Sequence, residues 1–99
     1  MVSQANEWLD VKNDNEISSA LSGKTIRFDE YSFQVFGENG KTRYFTERVS
    51  DGFWEARDGQ YCSAWPVALK WTCYDLSTKG DRFRFALSDG TFSEGYIDN

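Results

Sequence analysis

The chain contains no histidine. That removes the commonest general base, and with it the usual Ser-His-Asp and Cys-His machinery and every His-containing zinc site. Cysteine is nearly as scarce: Cys62 and Cys73 stand alone, eleven positions apart, with no C-x-x-C. They are too few for a four-cysteine zinc or iron–sulfur centre. No Gly-rich phosphate loop is present. The "SGKT" at 22–25 imitates the end of a P-loop, but it lacks the first glycine and follows a helix rather than a strand. No run approaches the ~20 apolar residues of a membrane helix, so membrane insertion is not expected. The N-terminal "MVSQANEWLD" has neither a basic nor an apolar signal region. Two origins fit it: a cytoplasmic protein, or a mature chain whose leader has been removed and to which Met1 was added.

Basic charge is also short. Eleven Lys and Arg against sixteen Asp and Glu leave a net charge of −5. That balance argues against nucleic acid and against anionic membrane surfaces as partners. The acidic cluster from Asp10 to Glu16 fails as a calcium loop, because Lys12 and Asn15 fall where an EF-hand needs an oxygen ligand and a glycine. Helix capping explains it. No metal and no cofactor are expected. Carboxylates are numerous enough for a glycosidase-like pair, but no pair is singled out. The expectation is therefore a protein that is not an enzyme.

Aromatics are abundant, at 17% of residues, and aliphatics are few. A core built from Phe, Tyr and Trp follows, since each buries a large area. Ninety-nine residues fit one domain, residues 1–99, and a monomer. A short helix is expected over about 14–22, with Asn13 or Asp14 as N-cap, Ile17, Ala20 and Leu21 as apolar stripe, and Gly23 as terminator. Residues 25–97 read as β-rich. "YSFQVF" alternates Tyr31, Phe33 and Val35 against Ser32 and Gln34. Asn39-Gly40, Asp51-Gly52, Asp58-Gly59 and Asp89-Gly90 supply turn signals. The fold class expected is α+β: a short helix packed on an antiparallel meander of about seven strands, forming a curled sheet or small β-barrel. A mixed open sheet is the alternative.

Two hairpins allow sharper statements. Around a turn centred between Val67 and Ala68, Cys62 falls opposite Cys73, and a cross-strand disulfide becomes available at a Cα separation of about 5.5 Å. The neighbouring residues supply no cationic setting for reactive thiolates, so a structural staple is preferred to two free thiols or a redox pair. A disulfide favours an oxidising compartment, periplasmic or secreted, over the cytoplasm. In the last hairpin, a two-residue turn at Asp89-Gly90 sets Leu87 against Phe92, Phe83 against Tyr96 and Glu94 against Phe85. A bulged turn sets Glu94 against Arg84 instead. Aromatic burial favours the first register. It would leave Glu94 at a barrel mouth or in a pocket, unless the side chain reaches solvent at the strand end.

The segments "LSGKT", "GFWEARDGQYCSAWP" and "WTCYD" resemble an uncharacterised family of small bacterial secreted proteins. Its pattern is an L-x-G-K-T start and a later G-x-W…G-x-Y-C…W…C segment. The resemblance covers residues 16 to about 97 and implies an exported precursor and a β-rich fold, with no catalytic residues. Two roles stay open. One is a non-catalytic secreted or envelope interaction module. The other is a small-molecule-binding barrel with an aromatic-lined pocket, using Trp54, Trp65, Trp71 and Tyr74, with Arg84 or Glu94 as polar anchor. The partner is an unknown protein or a small ligand. For each of these aromatics core packing is the preferred role, because the chain has few aliphatics to fill a core.

Overall fold

In the computed structural model, residues 7–99 are described. The stretch read for a leader lies, over residues 1–6, outside the described residues. The elements in order are β1 (Leu9–Val11), α1 (Asp14–Leu21), β2 (Thr25–Asp29), β3 (Ser32–Phe36), β4 (Lys41–Phe45), β5 (Val49–Arg57), β6 (Gln60–Trp65), β7 (Lys70–Lys79), β8 (Arg82–Ala86) and β9 (Phe92–Ile97). Strands β2 to β9 pair antiparallel in chain order, and β9 returns to pair with β2. The result is a closed eight-stranded up-and-down barrel, with β1 as a ninth strand. The first half of β7 pairs with β6 and its second half with β1 and β8. Closure leaves few exposed strand edges. A short helix on an antiparallel meander is what the sequence led us to expect. The barrel has eight strands rather than about seven, and the molecule is mostly β.

The helix closes one end. Asn13 Oδ1 caps it, accepting from the N–H groups of Asn15 (2.9 Å) and Glu16 (3.2 Å). Its apolar stripe, Ile17 and Leu21, is fully buried against Ile26, Phe36, Trp54, Leu76 and Phe83. Asp14 ties the helix to the barrel by accepting from the Gly59 N–H at 2.7 Å. Trp54 belongs to this plug: it is 5% exposed, and its Nε1 donates to the Gly37 carbonyl at 2.9 Å. Because the strands run up and down, the β2–β3, β4–β5, β6–β7 and β8–β9 turns gather at the opposite end. No helix of the described residues is long and apolar enough to cross a membrane.

Two readings of the sequence need correction. First, Asp51-Gly52 is not a turn; β5 runs straight through it, and the chain reverses at Thr46–Arg48. Gly52 is required by packing instead: a Cβ there would lie 2.6 Å from the Trp65 ring and 2.7 Å from the Ala64 carbonyl. Second, the last hairpin adopts the bulged register. Arg84 faces Glu94, Phe85 faces Ser93 and Ala86 faces Phe92, so the pairing of Leu87 with Phe92 and of Glu94 with Phe85 is not formed. Asp89 Oδ1 accepts from the Thr91 N–H and hydroxyl at 2.9 and 2.7 Å, and only Gly90 takes a positive φ, +92°. A two-residue type I′ turn, the kind Asp-Gly favours, needs positive φ at both positions. Asp58-Gly59 meets that requirement, at +54° and +80°. The bulged register leaves Phe92 on the outer wall, 52% exposed. Phe83 and Phe85 still fill the interior, while Phe92 covers Arg84 on the outer wall with its ring 4.3 Å from the guanidinium. In β3, where alternation alone left the inward face open, the polar set faces in. Ser32, Gln34 and Phe36 are buried, whereas Phe33 and Val35 lie half-buried on the outer wall and Tyr31 is exposed. Phe33 stacks there on Phe45 (4.5 Å) beneath the Arg27 guanidinium.

The cysteine hairpin forms as read. Cys62 pairs directly with Cys73 and is disulfide-bonded to it, with a Cα separation of 4.0 Å rather than about 5.5 Å.

Candidate functional site

At the barrel end opposite the helix lies a cavity of about 460 Å³. Its walls follow from the strand alternation. Inward positions are Phe28 on β2, Ser32 and Gln34 on β3, Tyr44 on β4 and Tyr61, Ser63 and Trp65 on β6. Tyr74 on β7, Phe85 on β8 and Ser93 on β9 complete the wall. Along β3 the inward residues change from Ser32 at the mouth through Gln34 to Phe36 at the plug. Polarity therefore rises toward the open end. Six aromatic rings and a small set of hydroxyl and amide groups share the lining.

The polar groups form a connected floor. Gln34 Nε2 donates to Thr42 Oγ1 at 2.8 Å and to the Tyr61 hydroxyl at 3.1 Å. Thr42 Oγ1 donates onward to the Val35 carbonyl at 2.8 Å. Trp65 Nε1 donates to Ser63 Oγ at 3.2 Å, which fixes the indole at the rim. The buried polar residues among those described are Ser32, Gln34, Thr42 and Ser63. Three line the cavity and the fourth bonds to Gln34. A core needs no such groups; burying them is costly unless each is partnered. Burial pushes the Tyr61 phenol up to about 12, against the weaker pull of hydrogen bonds with Ser63 and Gln34. At neutral pH the floor is therefore uncharged.

Two carboxylates border the cavity. Asp29 is held below the usual carboxylate range, first by the Tyr31 N–H at 2.8 Å and then by the Ser32 hydroxyl. Glu94 turns its carboxylate to the outer wall, where Arg84 Nη2 donates at 3.0 Å and Arg82 Nη1 at 3.4 Å. Asp29 is therefore not placed as a general acid, which needs a raised pKa and a free proton.

Of the residues singled out in the sequence, Trp65, Tyr74 and Glu94 come together at this cavity. Trp54 lies in the plug. Trp71 lies on the outer wall beneath the Arg57 guanidinium, 5.1 Å from its ring centroid. Arg84 is also on the outer wall, its guanidinium 3.9 Å from the Trp8 ring and 4.3 Å from the Phe92 ring. Its Nε is buried without a hydrogen-bond partner, facing ring surfaces. The cavity residues not singled out were Phe28, Asp29, Ser32, Gln34, Tyr44, Tyr61, Ser63, Phe85 and Ser93. A signal existed for some: Ser32-x-Gln34 and Tyr61-x-Ser63-x-Trp65 are polar or amphipathic residues at period two within aromatic strands. Compared with known protein families, curated proteins and solved structures, the chain matches none.

Proposed function

We propose that this protein is a non-catalytic barrel that binds a small molecule in its open mouth. The observation carrying this reading is the cavity of about 460 Å³, walled by aromatic rings and floored by the buried Gln34–Tyr61–Thr42 network. Its volume falls in the range of small-ligand sites, as does its mixture of apolar wall and few polar groups. The helix plug supports the same reading, because one sealed end makes the barrel a cup rather than a channel. The disulfide is compatible with work in the periplasm or outside the cell.

The test is equilibrium binding of a fragment panel of mixed charge and polarity to the wild type, Trp65→Ala and Trp71→Ala. Trp65→Ala is expected to weaken binding about tenfold through loss of ring contact, and Trp71→Ala to leave it unchanged. A panel with no binder overturns the reading, as does an equal loss in both variants.

A second reading rests on the outer wall. Phe53 and Trp71, 45% and 38% exposed, flank Ala64 beside the disulfide. They suit a protein-interaction face. Loss of partner capture in Phe53→Ser, with ligand binding intact, would favour it.

A further inference from the structure

We propose that the mouth cavity selects a cationic organic ligand, a quaternary or protonated amine carried on an apolar or aromatic body. This rests on the reading that the cavity is a ligand site. The first support is the lining itself: six aromatic rings, the Asp29 carboxylate at the rim and no Lys or Arg. The faces of aromatic rings carry negative potential and attract ammonium groups, more strongly in a desolvated site.

The second support is where the cations are. Arg27 donates from Nε to Asp98 at 2.6 Å and lies over Phe33. Arg43 pairs with Asp51 at 2.6 Å. Arg57 lies over Trp71, and Arg82 and Arg84 hold Glu94. Strand alternation sets all five on the outer wall, away from the cavity. An anionic ligand would meet no positive side chain in the cavity lining; the nearest cation at the open end is Arg48, in the β4–β5 turn on the far side of Asp29, Ser32 and Tyr44. Such a ligand would find the Gln34 and Trp65 N–H groups already donating to Thr42, Tyr61 and Ser63. Asp29 stands ionised at the rim, held so by the Tyr31 N–H and the Ser32 hydroxyl. The chain's net charge of −5 draws cations toward it.

Three phenols of matched shape separate charge from size: para-hydroxyphenyltrimethylammonium, para-tert-butylphenol and para-hydroxybenzenesulfonate. Calorimetric titration should find the ammonium about tenfold tighter than the neutral phenol, with the sulfonate weakest. Asp29→Asn keeps the acceptor for the Tyr31 N–H while removing the charge. It should shrink the ammonium's advantage over the neutral phenol. Circular dichroism checks that the variant is folded, and the wild-type ranking stands without it. If the neutral phenol or the sulfonate binds as tightly as the ammonium, or if none of the three binds, the cation inference falls. The fragment panel then decides the parent reading separately: binders confined to neutral or anionic fragments leave the ligand site standing, and an empty panel removes it too.

Discussion

Gly52 and Gly90 are glycines for different physical reasons, and the same substitution separates them. At Gly52 a methyl group would collide with the Trp65 indole and the Ala64 carbonyl, at 2.6 and 2.7 Å. Gly52→Ala should cost about 1–3 kcal/mol by overpacking and shift the Trp65 emission, because the ring must move. At Gly90 a methyl group would meet nothing within 4 Å, but φ is +92°. Gly90→Ala should cost about 1–2 kcal/mol through backbone strain alone, with the fluorescence spectrum unchanged. Urea unfolding measures both costs.

Tyr61 gives a pH signature at the same scale. Its phenol ionises near 10 in the unfolded chain and is pushed up to about 12 by burial in the fold. Between those values the unfolded chain has lost the proton and the folded one has kept it. The stability contribution is therefore complete below about pH 10 and declines as pH rises toward about 12. Tyr61→Phe should flatten that decline. At neutral pH it should cost only about 1 kcal/mol, since Gln34 keeps Thr42 as a partner. Unfolding midpoints measured across alkaline pH check the sign.

Among the elements, the β6–β7 hairpin was legible in the sequence and the β8–β9 hairpin was not. In the first, two cysteines and a centred turn define one register, and Cys62 meets Cys73. Closing that loop should contribute about 3 kcal/mol, so a Cys62→Ala, Cys73→Ala double variant should unfold at correspondingly lower urea. In native oxidised protein, thiol titration should find no reactive cysteine. In the β8–β9 hairpin the choice turned on what Phe92 does, and the outer wall offered it a place the sequence did not advertise. Phe92 is half-exposed but lies against the Arg84 guanidinium, so this register exchanges part of its burial for a cation–π contact and the Arg84–Glu94 pair. The β3 strand repeats the point. Alternation makes two faces of "YSFQVF" readable but does not say which faces inward. Phe33 finds Phe45 and Arg27 outside, and Ser32 and Gln34 take the interior.

For the whole molecule, a helix, a meander and a staple follow from turn residues, capping and cysteine spacing. Closure of the meander depends on β9 meeting β2, about seventy residues apart in sequence, and local patterns carry no information on such a pairing. The cavity depends on that closure, because its walls come from seven of the eight barrel strands. This is why most of its residues escaped notice while the tryptophans, conspicuous in the sequence, scattered to the plug, the rim and the outer wall. That scatter provides four internal reporters. Trp8 and Trp71 lie on the outer wall, Trp54 in the plug and Trp65 at the mouth. The most direct measurement is a nuclear magnetic resonance titration following the four indole N–H signals as a bound fragment or ammonium probe is added. Ligand in the mouth predicts a saturable shift of the Trp65 signal, with those of Trp8, Trp54 and Trp71 nearly still. A saturable shift at Trp71 or Trp8 with Trp65 unmoved would contradict the assignment of the mouth as the binding site.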